Sequence, residues 1–150
     1  MIALIQRVSE ASVKIDNKEI SSIKKGLLIF LGITHNDDMA DVSWLCNKIV
    51  NLRIFDDSDG IMNKSCFEEN YDILTISQFT LHAKTKKGNR PSYIDAARPE
   101  HAIPLYNSFI AELDNIMQKN TSSGEFGADM KISLINDGPV TIIIDSKNRV

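Results

Sequence analysis

The stretch Asn136-Asp-Gly-Pro-Val-Thr141 separates two segments, 128–135 and 140–145, whose β-branched and apolar residues are typical of strands. Asn, Asp and Gly favour tight turns, because glycine adopts positive φ freely and Asn and Asp tolerate it. Pro139 has a fixed φ, donates no N–H and is the residue type at which a cis peptide bond costs least. Two interpretations remain open from these residues alone. The stretch is either a hairpin turn or a rigid Gly138-Pro139 peptide presented at a functional site.

The length and composition of the chain indicate one globular domain, residues 1–150. Hydrophobic residues make up 43% and charged residues 25% of the chain, as in ordinary soluble proteins. The net charge of −3 provides no overall positive field to attract nucleic acid. The N-terminal segment lacks the features of a signal peptide, and no apolar run is long enough to span a membrane. Together with two unclustered cysteines, Cys46 and Cys66, these features predict a cytoplasmic protein with reduced thiols.

The hydrophobic pattern predicts seven or so strands and two helices in an α/β domain with a mixed sheet. The apolar run Gly26–Ile33 suits a strand buried on both faces. Apolar residues at helical spacing between Val42 and Ile49 predict the first helix, and a second helix opens at Pro99 or Pro104 and ends in 120–124. The remaining predicted strands are Ile2–Val8, Ser12–Ile15, Leu52–Phe55 and Tyr71–Leu81.

The acidic segment 56–60 has the composition of a calcium-binding loop but not its spacing. With Gly60 at loop position 6, Phe55 and Cys66 would occupy positions 1 and 12, where carboxylates are needed. We therefore interpret it as an acidic turn. The three histidines give no metal-ligand spacing with a cysteine, so no metal site is expected. The glycine-rich motifs that bind nucleotides are also absent, and no cofactor is expected.

The segment 82–94 is the one concentrated positive site in this acidic chain. It contains no acidic residue, and Gly88 and Pro91 interrupt regular structure, so we expect a flexible loop. Such a loop is either ordinary solvated surface or a contact site for phosphates. Its cations are Lys84, Lys86, Lys87 and Arg90.

Thr80 and His82 are two residues apart on a predicted strand and would face the same side. A hydroxyl beside an imidazole can act as a nucleophile with its base, which makes an ordinary esterase one alternative function. No orienting carboxylate follows nearby, so the simpler interpretation is two polar residues at a strand end.

The segments Ser77-Gln-Phe-Thr-Leu81 and 136–141 together resemble the motifs of the D-aminoacyl-tRNA deacylases of the widespread homodimeric type. The resemblance covers essentially the whole chain. It implies a single-domain fold with antiparallel and mixed sheets in a barrel-like arrangement, packed with two main helices. Further segments match in the same order: Ile5–Val8, Ala11–Val13, Gly26–Leu28, Leu31–Gly32, Thr85–Gly88, Arg90–Ser92 and Gly124–Met130.

The resemblance implies hydrolysis of the ester between a D-amino acid and the 3′-terminal ribose of tRNA, without a cofactor. Glycine, which has no side chain to reject, would also be released, including glycine mischarged on tRNA-Ala. The implied catalytic residues are Ser77, Gln78, Phe79 and Thr80. Backbone N–H groups around Phe79 and Thr80 would stabilise the oxyanion while the ribose 2′-OH assists the attack, and a nucleophilic Thr80 ranks second.

The resemblance also implies a homodimer with the active site at the subunit interface. Gly138-Pro139, joined by a cis bond, would enter the partner subunit's active site and exclude L side chains, with Arg7 fixing its orientation. Phe126 and Met130 would line the adenosine pocket, and the cations of segment 82–94 would contact the acceptor stem. A non-catalytic RNA-binding protein on the same scaffold is a further alternative.

Overall fold

The computed structural model describes residues 1–150, which form eight strands and two α-helices. The helices are α1 (Met39–Val50) and α2 (Pro99–Met117). The strands are β1 (Ile2–Ile15), β2 (Lys18–Ile23), β3 (Gly26–Gly32), β4 (Phe55–Asp56), β5 (Met62–Lys64), β6 (Asp72–Ser77), β7 (Ser122–Ser123) and β8 (Lys131–Asp145).

Strand β1 organises the sheet. One of its edges pairs with β3 along residues 2–8 and with β2 along residues 11–15, and its other edge pairs with β8, in each case antiparallel. The separate strands expected at Ile2–Val8 and Ser12–Ile15 are therefore wrong, since they are one strand. Pairing of Glu10 with Ile135 and of neighbouring residues keeps the connecting backbone extended.

The sheet is mixed and curls towards closure. Strand β6 pairs in parallel with β3, and β7 in parallel with β6, giving the order β2-β1-β3-β6-β7 with β8 on β1. Strand β2 also contacts β6 and β7, so the two ends of this order approach each other. The predicted mixed α/β fold with a barrel-like sheet and two main helices is confirmed.

The two helices pack together and against the sheet, where their apolar stripes form half of the main core. Leu45 and Ile49 of α1 and Phe109 and Leu113 of α2 are fully buried there. Helix α1 begins with a capping box between Asp38 and Asp41, which satisfies backbone N–H groups at the helix start. Neither helix is long and apolar enough to cross a membrane.

Two predicted strands differ in the structure. The strand expected at Leu52–Phe55 is reduced to Phe55–Asp56, paired with β5. The strand expected at Tyr71–Leu81 ends at Ser77 and continues into a 3₁₀ turn, Phe79–His82. Thr80 and His82 consequently do not share one face of a strand.

The hairpin interpretation of residues 136–141 is also wrong. Strand β8 continues through them along β1, with Asn136 opposite Val8 and Thr141 opposite Gln6. Between those pairs β1 has only Arg7, whereas β8 has the four residues 137–140. The additional residues bulge out of the sheet, so the segment is a bulge within a long strand.

Candidate active site

The segment Ser77–Thr80 lies at the end of β6, where the chain leaves the sheet. The Gln78 N–H donates to the Leu31 carbonyl at 2.8 Å, which is the last ladder bond to β3. The Gln78 side-chain amide then donates to Thr80 Oγ1 across the turn. In this short turn the N–H groups of Phe79 and Thr80 have no backbone partner, which leaves them free for an incoming oxyanion.

A cavity of about 300 Å³ opens beside this turn. Ser77, Gln78 and Phe79 form one side of it, and Phe126 and Met130 form another. The structure therefore brings together two sets of predicted site residues that lie nearly fifty positions apart in sequence. A mostly apolar cavity with polar groups at one side can accept a flat group such as a nucleobase. The other lining residues are Leu31, Ile33, Ile76, Ala97, Ala102, Gly127, Ala128, Asp129 and Ile132.

Helix α2 supports the aromatic wall of the cavity. Tyr106 packs edge-on against Phe126, with ring centroids 5.6 Å apart, and its hydroxyl donates to the Thr75 carbonyl at 2.9 Å. Burial raises the pKa of the Tyr106 phenol, so this donor keeps its proton. Tyr106 was not among the predicted site residues, because its apolar spacing on a helix indicated only a core position.

The bulge of β8 carries Gly138 and Pro139, both exposed and joined by a cis peptide bond. Asn136 closes its base, since Oδ1 accepts the Val140 N–H at 2.8 Å and Nδ2 donates to Thr141 Oγ1 at 3.0 Å. Neither Gly138 nor Pro139 lines the cavity formed by its own chain. Within one chain, the structure thus separates these two predicted site residues from the predicted site residues that line the cavity.

Arg7 is the residue that holds the bulge. Its side chain is only 8% exposed, and Nε donates to the Asp137 carbonyl at 2.8 Å. Nη1 donates to the Ile54 carbonyl at 2.7 Å and to Asp56 Oδ1 at 3.2 Å. Asp56 was not predicted as a site residue, because no local signal links it to a strand 49 residues earlier.

The basic loop, segment 82–94, has its two ends paired with each other, and Tyr93 connects it to the 3₁₀ turn. Lys84 and Ser92 exchange backbone hydrogen bonds of 2.8 and 3.0 Å, and Lys84 Nζ lies 2.6 Å from Asp95 Oδ2. Tyr93 packs edge-on against Phe79 of the 3₁₀ turn at 5.1 Å. Lys86, Lys87 and Arg90 are exposed and form no salt bridge, so three of the four predicted cations remain free for a polyanion.

The alternative nucleophiles are poorly placed. The Thr80 hydroxyl has Gln78 as its partner, whereas the buried Nε2 of His82 has no hydrogen-bond partner and its ring packs beside Gly32. Burial raises the pKa of the Cys66 thiol to about 12 and also raises that of Cys46. Both thiols are therefore protonated and unreactive at neutral pH.

Solved structures share this fold over nearly the whole chain. One described as "c-Myc DNA Unwinding Element Binding Protein" matches with a TM-score of 0.92 and 39% identity, covering 97% of this chain and 98% of that chain. Another, described as a probable eukaryotic D-amino acid tRNA deacylase, matches with a TM-score of 0.82 and 15% identity, covering 95% and 97%. The second likeness concerns the fold alone.

Similarity to known sequences places this chain in the class of deacylases. D-Aminoacyl-tRNA deacylases of Bacteroides fragilis (strain YCH46) and Cytophaga hutchinsonii are each 60% identical over 149 residues, covering 99% of both chains. A family model described as D-Tyr-tRNA(Tyr) deacylase matches residues 4–145. The chain belongs to the D-Tyr-tRNA(Tyr) deacylase family, which confirms the resemblance found in its motifs.

Proposed function

We propose that this protein hydrolyses the ester bond of D-aminoacyl-tRNA and releases the D-amino acid and tRNA. One observation carries the proposal: Ser77, Gln78 and Phe79 line a single cavity together with Phe126 and Met130. This chain is 60% identical to D-aminoacyl-tRNA deacylases along 99% of its length. An adenosine at the 3′ end of tRNA would occupy the apolar part of the cavity, with its aminoacyl ester beside the turn.

The proposed chemistry uses backbone donors. Water attacks the ester carbonyl, assisted by the ribose 2′-OH, and the developing oxyanion accepts hydrogen bonds from the N–H groups of Phe79 and Thr80. The ester bond then breaks, and the ribose 3′ oxygen takes the proton. An aminoacyl ester is activated, so orientation and oxyanion stabilisation suffice without a side-chain base.

Chiral selection in this proposal comes from a second subunit. Gly138 and Pro139 are exposed and do not line their own cavity, which supports insertion into the cavity of a partner. Ile135 and Ile143, on the outer face of β8 on either side of the bulge, are 55% and 65% exposed. Burial of such apolar residues favours a homodimer through this face.

The exposed Gly138-Pro139 segment forms the tip of the bulge. The tip of the partner subunit would occupy the space that an L side chain needs, while a D side chain points outwards. Glycine has no side chain to reject, so glycyl-tRNA, including glycine on tRNA-Ala, is also a substrate in this proposal. Lys86, Lys87 and Arg90 would contact acceptor-stem phosphates, whereas the charge of Lys84 is offset by Asp95. The reduced thiols suit the cytoplasm.

The test is deacylation of matched D- and L-tyrosyl-tRNA. We expect rapid release from the D substrate and little from the L substrate. Equal rates would contradict chiral selection, and tRNA binding without deacylation would favour the non-catalytic binder. Sedimentation at assay concentration tests the dimer, because a monomer with full discrimination would contradict a tip supplied by a partner.

A further inference from the structure

The acidic segment 56–60 has no part in the chemistry described above, yet it forms an ordered hairpin between β4 and β5. Asp57 closes the turn, since its Oδ1 accepts the N–H groups of Asp59 at 2.9 Å and Ile61 at 3.1 Å. Its Oδ2 accepts Asn63 Nδ2 at 3.1 Å. The turn is therefore held by Asp57, and the side chain of Asp56 remains available for a contact outside the hairpin.

That contact is the Arg7 guanidinium. Asp56 Oδ1 lies 3.2 Å from Nη1, which also donates to the Ile54 carbonyl at 2.7 Å. On the opposite side, Nε donates to the Asp137 carbonyl at 2.8 Å and lies 3.5 Å from Asp137 Oδ2. The guanidinium thus bridges the β4–β5 hairpin and the start of the bulge.

The bridge is directional because the guanidinium is planar and its N–H groups point in fixed directions. When the hairpin fixes Nη1, it also fixes the direction of Nε and hence the position of the Asp137 carbonyl. Asp137 directly precedes Gly138. If Asp56 were neutral, the Asp137 carboxylate would be the one remaining charged partner and would draw the guanidinium towards the bulge.

We propose that Asp56 is a positioning residue for the Gly138-Pro139 tip and acts on stereochemical selection through Arg7. This inference rests on the proposed function. Asp56 is 49% exposed, so its ion pair contributes little to stability, and its effect is on orientation. Asp56 would not touch the substrate.

The test compares Asp56→Asn with the wild type, using D- and L-tyrosyl-tRNA. We expect the ratio of kcat/KM for the two substrates to fall roughly tenfold, the order of effect of one charge-assisted hydrogen bond, with the thermal midpoint unchanged. Asp56→Glu should restore most of the ratio. Asp59→Asn removes the same charge from the same hairpin without touching Arg7 and should behave as the wild type.

A double-mutant cycle shows whether the effect passes through Arg7. In an Arg7→Lys background, Asp56→Asn should have little further effect, because the directional bridge is already absent. Additive effects, or an Asp56→Asn ratio equal to that of Asp59→Asn, would overturn the inference while leaving the proposed function intact. A wild-type protein that does not release D-tyrosine would overturn both.

Discussion

Arg7 and Asp137 are joined by a 2.8 Å hydrogen bond from Nε to the main-chain carbonyl, across 130 positions of sequence. Arg7 is the single residue of β1 that faces the four-residue bulge of β8. Its other donors reach the Ile54 carbonyl and Asp56. One buried side chain therefore joins the start of the bulge, directly before the exposed Gly138-Pro139 tip, to the β4–β5 hairpin.

Replacing Arg7 should affect both stability and selection. Arg7→Ala leaves the buried Ile54 carbonyl and the partly buried Asp137 carbonyl without their donor, so we expect the unfolding free energy to fall by about 2 kcal/mol. The ratio of D to L deacylation should fall as well, because the bulge loses its support. Urea unfolding and paired deacylation assays measure the two effects. Arg53→Ala, which removes one exposed hydrogen bond to Asn63, is the matched control and should change neither.

Gly138→Ala should damage the tip itself. Gly138 has φ +143°, and an added Cβ would lie 2.8 Å from the Val140 nitrogen. The bulge must shift to relieve that clash, so we expect selection against L-tyrosyl-tRNA to weaken by about tenfold or more, from strain of roughly 1–3 kcal/mol.

Gly88→Ala is the control for Gly138→Ala. It separates the effect of the steric clash from the general cost of placing alanine at a positive φ. Gly88 has φ +72° with no atom within 4 Å of an added Cβ, so the substitution meets no neighbour. It lies in the basic loop, where any effect on tRNA binding should be equal for both substrates. A loss of selectivity as large as that of Gly138→Ala would refute the steric explanation.

Thr80→Val and His82→Ala distinguish backbone catalysis from a side-chain nucleophile. The Thr80 hydroxyl is bonded to Gln78 and not to His82, so we expect kcat to fall by no more than about tenfold in either variant. An esterase using both side chains would lose at least about a thousandfold from each substitution. Single-turnover deacylation of D-tyrosyl-tRNA measures the difference directly.

The free cations of the basic loop should each contribute to the salt dependence of tRNA binding. Neutralising Lys86, Lys87 or Arg90 should lower the slope of log Kd against log salt by about 0.9 for each duplex phosphate that the protein no longer neutralises. Lys84→Gln is the matched control, because Asp95 already offsets that charge, and its slope should remain near the wild-type value. Filter binding to uncharged tRNA at several salt concentrations provides the slopes. Equal effects of all four substitutions would contradict the assignment.

Protonation of Asp41 should lower the stability of the folded protein in acid. Burial alone would raise its pKa, but hydrogen bonds from Lys147, the Asp38 backbone and Ser146 lower it to about 2. Because the folded-state pKa is below the ordinary value, this stabilisation is complete above about pH 4 and is lost as pH falls towards 2.

Asp41→Asn should therefore reduce the unfolding free energy at pH 7 by about 1–2 kcal/mol, and the difference from wild type should shrink below pH 4. Urea unfolding between pH 2 and 7 measures it. Asp129→Asn, at an exposed ion pair with Lys131, is the control and should show almost no difference at either pH. A constant difference for Asp41→Asn at all pH values would exclude the electrostatic explanation.

The sequence by itself determined the family, both helices, the buried strand β3 and the mixed character of the sheet. The helices and β3 follow from local properties, namely apolar residues at helical spacing on α1 and α2 and an unbroken apolar run in β3. The mixed sheet follows from the number and order of predicted strands and helices, and the family from motifs distributed along the whole chain. Spacing alone determines which residues share a face, so it suffices for the helices and for β3. It does not identify residues 77–80, whose site role is implied only by the resemblance to the family.

Only the tertiary structure decided what residues 136–141 are. Their composition suits a hairpin turn, but the strands on either side pair with β1 and not with each other, so the segment becomes a bulge opposite Arg7. The bonds from Arg7 to Ile54 and Asp56, and the 3₁₀ turn that follows the last pairing with Leu31, depend equally on distant partners. Backbone groups take the partners that folding brings to them, and no local pattern specifies those partners.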